Sequence, residues 1–362
     1  MSPSTDLQQI ESRIGALVRE YAGLARQADI PPELDDTLER TIDQAVVSSE
    51  GGKRLRALLA LETYDLFAPD AGEARRCAML DIACAIEVFQ TAALVHDDII
   101  DDADLRRGKP SAHRALEQAT HSEAIGRGLG VMLGDLLATA CTAIMDDASQ
   151  RLDIPQARDL RRTFITMHHE VEIGQVLDLA IERMPLNDPD RLGKASYEVF
   201  RWKTASYTTI APLELAFLSA GMDQQEAARH AMAIGWPLGV AFQLADDLID
   251  VIGSSSQTGK PVGGDIREGK RTVLLSDALR AASPKEAREL TRIYAKRRRG
   301  ASDVERVTAL MRSTGAIDRS YARIEEMWNR ACDAIDAMGL DAERTARLTA
   351  ICARFIPQSA RA

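Results

Sequence analysis

Residues 77–102 read CAMLDIACAIEVFQTAALVHDDIIDD. From Cys77 to Val95 the apolar side chains, Leu80, Ile82, Ile86, Val88, Phe89 and Leu94 among them, fall on nearly every face of a helical wheel. A helix that is apolar all round is buried at the centre of a domain. This one ends in Asp97-Asp98-Ile99-Ile100-Asp101. A second apolar run, Trp236 to Leu244, ends the same way in Asp246-Asp247-Leu248-Ile249-Asp250. Two core helices, each closed by an acidic cluster, frame the reading of the rest.

Outward from these runs the helical period continues. Ile10, Ile14, Leu17, Val18, Tyr21 and Leu24 recur at steps of three and four, which predicts an N-terminal helix within residues 1–30. Pro31-Pro32 ends it, and a second helix runs from Pro32 to about Val47. Gly51-Gly52 is a break before a third helix over about 55–66. Further helices are expected over 125–144 and 168–181, and throughout the chain after Thr272, punctuated by Pro284 and Gly315. Residues 253–271, rich in Gly, Ser and Lys, read as a mobile loop. No strand alternation of any length and no linker is visible. The expectation is an all-α fold, one domain over residues 1–362.

Composition agrees. Of 362 residues 45% are hydrophobic but only 4% aromatic, so the core is built from Ala, Leu, Ile and Val. Alanine and leucine favour helix. The net charge of -10 argues against nucleic-acid binding. The basic run Lys296-Arg297-Arg298-Arg299 reads as a solvated helix end. The five cysteines have wide spacings and no C-x-x-C pair, as buried thiols in a reducing compartment do. The N-terminus lacks the basic and apolar regions of a signal peptide, and no run reaches the ~18 apolar residues that span a bilayer. A cytoplasmic protein without a transmembrane segment is expected.

The acidic clusters carry the chemistry. Residues i and i+4 share one helix face, so Asp97 points with Asp101 and Asp246 with Asp250. Such carboxylates repel one another, and they sit at helix C-termini, where the backbone dipole also disfavours negative charge. Hard divalent cations with oxygen ligands offset both effects, and Mg²⁺ is usually held by one or two carboxylates plus substrate phosphates. A diphosphate held this way also wants Lys and Arg around it. Those follow each cluster: Leu105-Arg106-Arg107-Gly108-Lys109 after the first, Lys260, Lys270 and Arg271 after the second, with Gly51-Gly52-Lys53-Arg54-Leu55-Arg56 upstream and Lys203-Thr204 between.

In this order the blocks GGKRLR, DDIID with LRRG, Gly174-Gln175 with Asp178, Lys203-Thr204, FQLADDLID and GKPVGGD resemble those of the trans-isoprenyl diphosphate synthases. The ordered set spans about residues 51–272. The resemblance implies a helical bundle around a deep central cavity, usually in a homodimer. It implies that Asp97, Asp98 and Asp101, with Asp246, Asp247 and Asp250, bind three Mg²⁺ together with an allylic diphosphate. Arg106, Lys203, Lys260 and Lys270 would contact that diphosphate. Lys53, Arg56 and Arg107 would bind isopentenyl diphosphate. Gln90 stands where the family often has His; glutamine still donates a hydrogen bond but carries no charge.

The resemblance further implies head-to-tail condensation. Metal ions stabilise the departing diphosphate, the isopentenyl double bond attacks the allylic cation, and the diphosphate takes the proton. Lys203, Thr204 and Gln243 would present dipoles to the cation, and the 253–271 loop would exclude water. His96 reads as a hydrogen-bond partner rather than a metal ligand. Ala93 and Ala92 lie about one turn, ~6–7.5 Å, deeper than Asp97, and Phe89 ~12 Å. Small residues there favour a C20 product over shorter ones. A terpene cyclase would mix Asn, Ser or Thr with Glu in its second motif. A non-catalytic subunit would lack one cluster, and a head-to-head synthase would lack the isopentenyl site.

Overall fold

The computed structural model of the chain describes residues 3–23, 30–253 and 263–357. They are almost entirely helical, and the chain groups into two compact units, Met1–Thr166 with Pro212–Ala227, and Met167–Ala211 with Ala228–Ala362.

In the first unit α1 (Pro3–Ala22), α2 (Pro32–Ser48), α3 (Leu55–Phe67), α4 (Glu73–Ile100), α5 (Ala112–Thr120) and α6 (Glu123–Arg151) surround α4. The helix α4 packs on α6, α3 and α1. Its 28 residues make it about 42 Å long. The expected α1 face is buried at Ile10, Ile14, Leu17 and Val18; Leu24 lies outside the described residues. Tyr21 stays at the surface side, its hydroxyl donating to Asp147 at 2.5 Å.

Two acids interrupt the apolar run of α4, and both are neutralised in the core. Asp81 accepts from Arg13 of α1 at 2.6 Å and from Arg151 of α6 at 2.5 Å. Glu87 accepts from the buried Arg54 at 3.4 Å and from the Ala57 N–H at 3.2 Å. A lone charge there would carry a large desolvation cost, which pairing offsets. Counting unbroken runs therefore understates the hydropathy of these helices. Both α4 and α6 are long and apolar enough to cross a membrane, against the sequence expectation, though 78% of the α4 stretch and 44% of the α6 stretch is buried within the protein.

In the second unit α7 (Ala157–Ile181), whose first turns belong to the first unit, leads to α8 (Pro189–Val199), a π-helical stretch (Phe200–Ile210), α9 (Ala211–Ser219) and α10 (Gln224–Ile252). The helix α8 packs on the π stretch and on the helix Val273–Ala281, which in turn packs on Ala316–Asp336 and Ala301–Ser313. Residues 263–271 of the expected loop are not all irregular: Gly264–Glu268 form a short helix between Gly263 and Gly269, both at positive φ.

Candidate active site

Asp97 and Asp98 occupy the last turn of α4, and the N–H of Asp101 closes that turn on the Asp97 carbonyl at 2.9 Å. Asp102 then adopts a left-handed conformation, φ 52°, and the Ala103 N–H reaches back to the Asp98 carbonyl at 2.9 Å. This six-to-one bond stops the helix as a Schellman turn does. The chain reverses in a two-residue hairpin, β1 (Leu105–Arg106) against β2 (Lys109–Pro110), with Arg107 and Gly108 both at positive φ. That combination is the hairpin turn whose twist matches its strands.

The hairpin throws two arginines in different directions. Arg106 returns to the cluster: its Nε donates to both Asp98 oxygens at 2.9 and 3.1 Å and its Nη2 to Oδ1, with Asp97 3.9 Å away. Burial lowers the pKa of Arg106, but the Asp98 bond and the charges of Asp97, Asp98 and Asp101 outweigh it, so its cation is held more tightly than usual. Arg107 reaches the other way. Its Nη1 donates to the Glu50 and Gly51 carbonyls at 2.8 and 2.7 Å. Gly52, φ 105°, leaves room for it, since a Cβ there would meet Nη2 at 3.0 Å. Burial and the neighbouring Arg54 and Arg106 lower its pKa, the signature of a cation that would gain from an anion.

Asp98, Arg106, Arg107, Gly51, Gly52 and Lys109 line a cleft of about 380 Å³. Of the other predicted isopentenyl ligands, Lys53 is exposed, Arg56 is buried in the first turn of α3, and Gln90 is half-buried on α4. None of the three lines that cleft. Arg54, which sequence reasoning passed over, shapes the turn. It takes φ 49° at the start of α3 and donates to Glu11 at 2.8 and 3.1 Å, to Glu87, and to the Ser49 carbonyl. His96 behaves as expected: its Nε2 is 3.3 Å from the Val131 carbonyl and 3.3 Å from Asp135. The ring fits because position 134 is glycine; a Cβ there would come within 2.3 Å of Nε2.

The second cluster ends α10. Asp246 is exposed, Asp250 half-buried and Asp247 buried. Asp247 accepts from Gln243 Nε2 at 2.7 Å, and Gln243 Oε1 accepts from Thr204 Oγ1 at 2.9 Å. The other Asp247 oxygen is buried with no hydrogen bond. Asp250 accepts from the N–H groups of Gly264 and Asp265, both at 3.1 Å. Asp265, another residue the sequence reading passed over, therefore joins the cluster, and Lys270 lies 3.6 Å from it. Burial pushes the Asp247 carboxyl well above its ordinary range, with the charges of Asp265 and Asp246 adding to it. Burial also raises Asp250, and it lifts Asp265 to about 7.

Lys203 and Thr204 lie in the π-helical stretch, a wide turn that recurs at functional sites. Lys203 Nζ donates to Asp178 of α7 at 2.5 Å. Three glycines let other helices approach this stretch. A Cβ at Gly174 would sit 2.2 Å from the Lys203 N, at Gly239 2.5 Å from the Ala205 Cβ, and at Gly235 2.8 Å from the Ile210 Cα. Predicted Lys260 lies outside the described residues.

Among the described residues no three His, Cys, Asp or Glu side chains are drawn together as a metal cage. The reason is electrostatic. Without a cation the carboxylates find other partners, Asp98 on Arg106 and Asp250 on backbone N–H groups.

Comparison with known proteins fits this arrangement. A curated short chain isoprenyl diphosphate synthase from Methanothermobacter thermautotrophicus is 30% identical over 285 residues, 76% of this chain and 78% of its own. An octaprenyl diphosphate synthase from Escherichia coli is 30% identical over 295 residues, 81% of this chain and 82% of its own. A crystal structure of geranylgeranyl pyrophosphate synthase from Corynebacterium glutamicum, complexed with isoprenyl diphosphate and magnesium, superposes with a TM-score of 0.82 at 30% identity, covering 97% of this chain and 99% of that one. With the polyprenyl synthetase profile matching residues 36–311, the chain belongs to the polyprenyl synthetase family, the trans-isoprenyl diphosphate synthases.

Proposed function

We propose that the protein condenses isopentenyl diphosphate head to tail with dimethylallyl, geranyl and farnesyl diphosphates, and that geranylgeranyl diphosphate is its product. The observation that carries this reading is the chain Thr204–Gln243–Asp247, which ends on a buried carboxylate oxygen without a hydrogen bond, in a cluster with Asp250 and Asp265. Burying unscreened carboxylates together is costly unless they are neutralised. The donor set is all oxygen, which fits Mg²⁺ shared with substrate phosphates.

Asp97, Asp98 and Asp101, and likewise Asp246, Asp247 and Asp250, are the assigned ligands, with three ions expected. Once bound, Mg²⁺ supplies Lewis-acid stabilisation of the departing diphosphate. The chain's own side chains do the rest. Arg106, Lys203 and Lys270 hold diphosphate oxygens. Thr204 and Gln243 fix the Asp247 carboxylate and turn dipoles towards the allylic carbon. Arg107, with Lys53, Arg56 and Gln90, binds isopentenyl diphosphate, the lowered pKa of Arg107 supporting an anion beside it. Ala93, half-exposed on α4, and the buried Ala92 and Phe89 set the product length.

The outward side of α6, where Ile125, Val131 and Met132 are 52%, 37% and 51% exposed, supports a homodimer. Sedimentation of wild type and Met132→Glu tests that. Five free cysteines support a reducing, cytoplasmic setting. Incubating the purified protein with labelled isopentenyl diphosphate, each primer and Mg²⁺, then sizing the products, tests the main reading. Absence of any elongated product would refute it.

A further inference from the structure

The run Lys296-Arg297-Arg298-Arg299 reads in sequence as solvated, and the structure divides it. Lys296 pairs with Asp303 at 2.6 Å, and Arg297 and Arg298 are exposed. Arg299 turns inward. Its Nε donates to the Arg267 carbonyl at 2.9 Å and its Nη2 to the Glu268 carbonyl at 2.7 Å. Its Nη1 donates to the Lys296 and Tyr294 carbonyls at 2.7 and 3.2 Å. A planar guanidinium thus ties two stretches of chain, 267–268 and 294–296, through four carbonyls.

The clamp is built around its surroundings. The buried Tyr294 ring lies 5.9 Å from the Arg299 Cζ and 5.2 Å from that of Arg271. Gly269, at φ 87°, makes room, since a Cβ there would come 2.5 Å from Arg299 Nη2. The carbonyls that Arg299 holds belong to the last residues of the short helix Gly264–Glu268. The first residues of that helix hold the second aspartate cluster, through the Gly264 and Asp265 N–H groups on Asp250. Lys270 follows directly, its N–H on the Asp265 carbonyl at 2.9 Å.

We propose that Arg299 is a positioning residue for the second diphosphate-binding cluster: it clamps the 264–270 segment so that Asp265 and Lys270 are held against Asp250. It touches neither cluster nor substrate and acts through the backbone it fixes. Freed of the clamp, the segment shifts Asp265 and Lys270, and displacements near 1 Å in such supports cost on the order of 10²-fold in rate. The inference rests on assigning the second cluster to the allylic diphosphate.

The experiment compares wild type, Arg299→Ala, Arg299→Lys and the double variant Arg297→Ala/Arg298→Ala. Two quantities are read: the rise in melting temperature on adding Mg²⁺ with inorganic pyrophosphate, and the separate KM values for farnesyl and isopentenyl diphosphates. Arg299→Ala is expected to stay helical, to lose most of the pyrophosphate-induced rise, and to show an allylic KM about tenfold higher with the isopentenyl KM within about twofold. Arg299→Lys recovers only part, because an ammonium cannot span both stretches, and it carries the test if the alanine variant does not fold. The double variant matches wild type. An Arg299→Ala rise and allylic KM equal to wild type, or a full recovery by lysine, would overturn the clamp while leaving the proposed function standing. No rise in wild type itself would remove both.

Discussion

Gly174→Ala is the sharpest single test of how the π-helical stretch serves the site. The new Cβ would stand 2.2 Å from the Lys203 N, 2.5 Å from its Cα and 2.6 Å from the Trp202 carbonyl carbon, whereas ordinary contact begins at 3.4 Å. All three obstacles are backbone, so no side chain can swing aside. The two helical segments must separate by roughly 1.2 Å at this point, and overpacking of that kind costs about 1–3 kcal/mol. For a chain of this size about 2 °C of melting temperature goes with each kcal/mol, so Tm falls by about 2–6 °C. The functional loss is larger. Lys203 moves with the backbone, and a displacement near 1 Å costs on the order of 10²-fold in kcat/KM. The assay is labelled isopentenyl incorporation alongside a thermal scan by circular dichroism. Gly15→Ala, on α1 with nothing within 4 Å of its Cβ, is the control and stabilises by about 0.5–1 kcal/mol. Wild-type Tm and kcat/KM in Gly174→Ala would refute the claim that this close approach places Lys203.

Four further outcomes are expected. Asp97→Ala or Asp246→Ala lowers turnover by orders of magnitude with helicity unchanged, and near-normal turnover in either removes that cluster from the metal assignment. Arg54→Ala strips Glu87 of its buried partner and destabilises by about 3–5 kcal/mol in urea unfolding; a loss under 1 kcal/mol would make the pair incidental. With EDTA present, Tm falls as pH rises from 5 to 8. The folded-state pKa of Asp265, about 7, lies above the unfolded value, so the folded chain binds more protons in that window and stability declines through it. Asp265→Asn flattens that fall, and an unchanged slope would place its source elsewhere. Ala93→Tyr shortens the product in a sizing assay, and an unchanged product means that this face does not meet the growing chain.

The helices that end in acid were legible because all-round apolarity and an abrupt acidic stop are both written in the sequence. The apolar runs correspond to α4 and the second half of α10. The hairpin at 105–110 was not, since two residues per strand are too few to show alternation. The pairing of Arg106 with Asp98 depends on that hairpin and on two positive-φ residues, one of them an arginine. Which basic residue of Gly51-Gly52-Lys53-Arg54-Leu55-Arg56 is structural depends on the left-handed turn at Arg54, which no spacing announces. The π stretch carries no period distinct from an α-helix over eleven residues. Its indirect signal was the glycines at 174, 235 and 239, whose close approaches become visible only once the partner backbones are placed. Asp265 stood in a quoted block, but its burial beside Asp250 arises from the short helix that follows it in space.

The wide turns at Phe200–Ile210 also bear on how this enzyme can change length. Surface loops absorb insertions and deletions at little cost. Removing one residue from this stretch would instead let it rewind to 3.6 residues per turn, swinging the segment that follows by about 100° around the axis. Pro212 to Ser219, now packed with Leu213, Leu215 and Phe217 fully inside, would present its other side. Engineers recombining such enzymes should treat residue count here as fixed and place every crossover outside it.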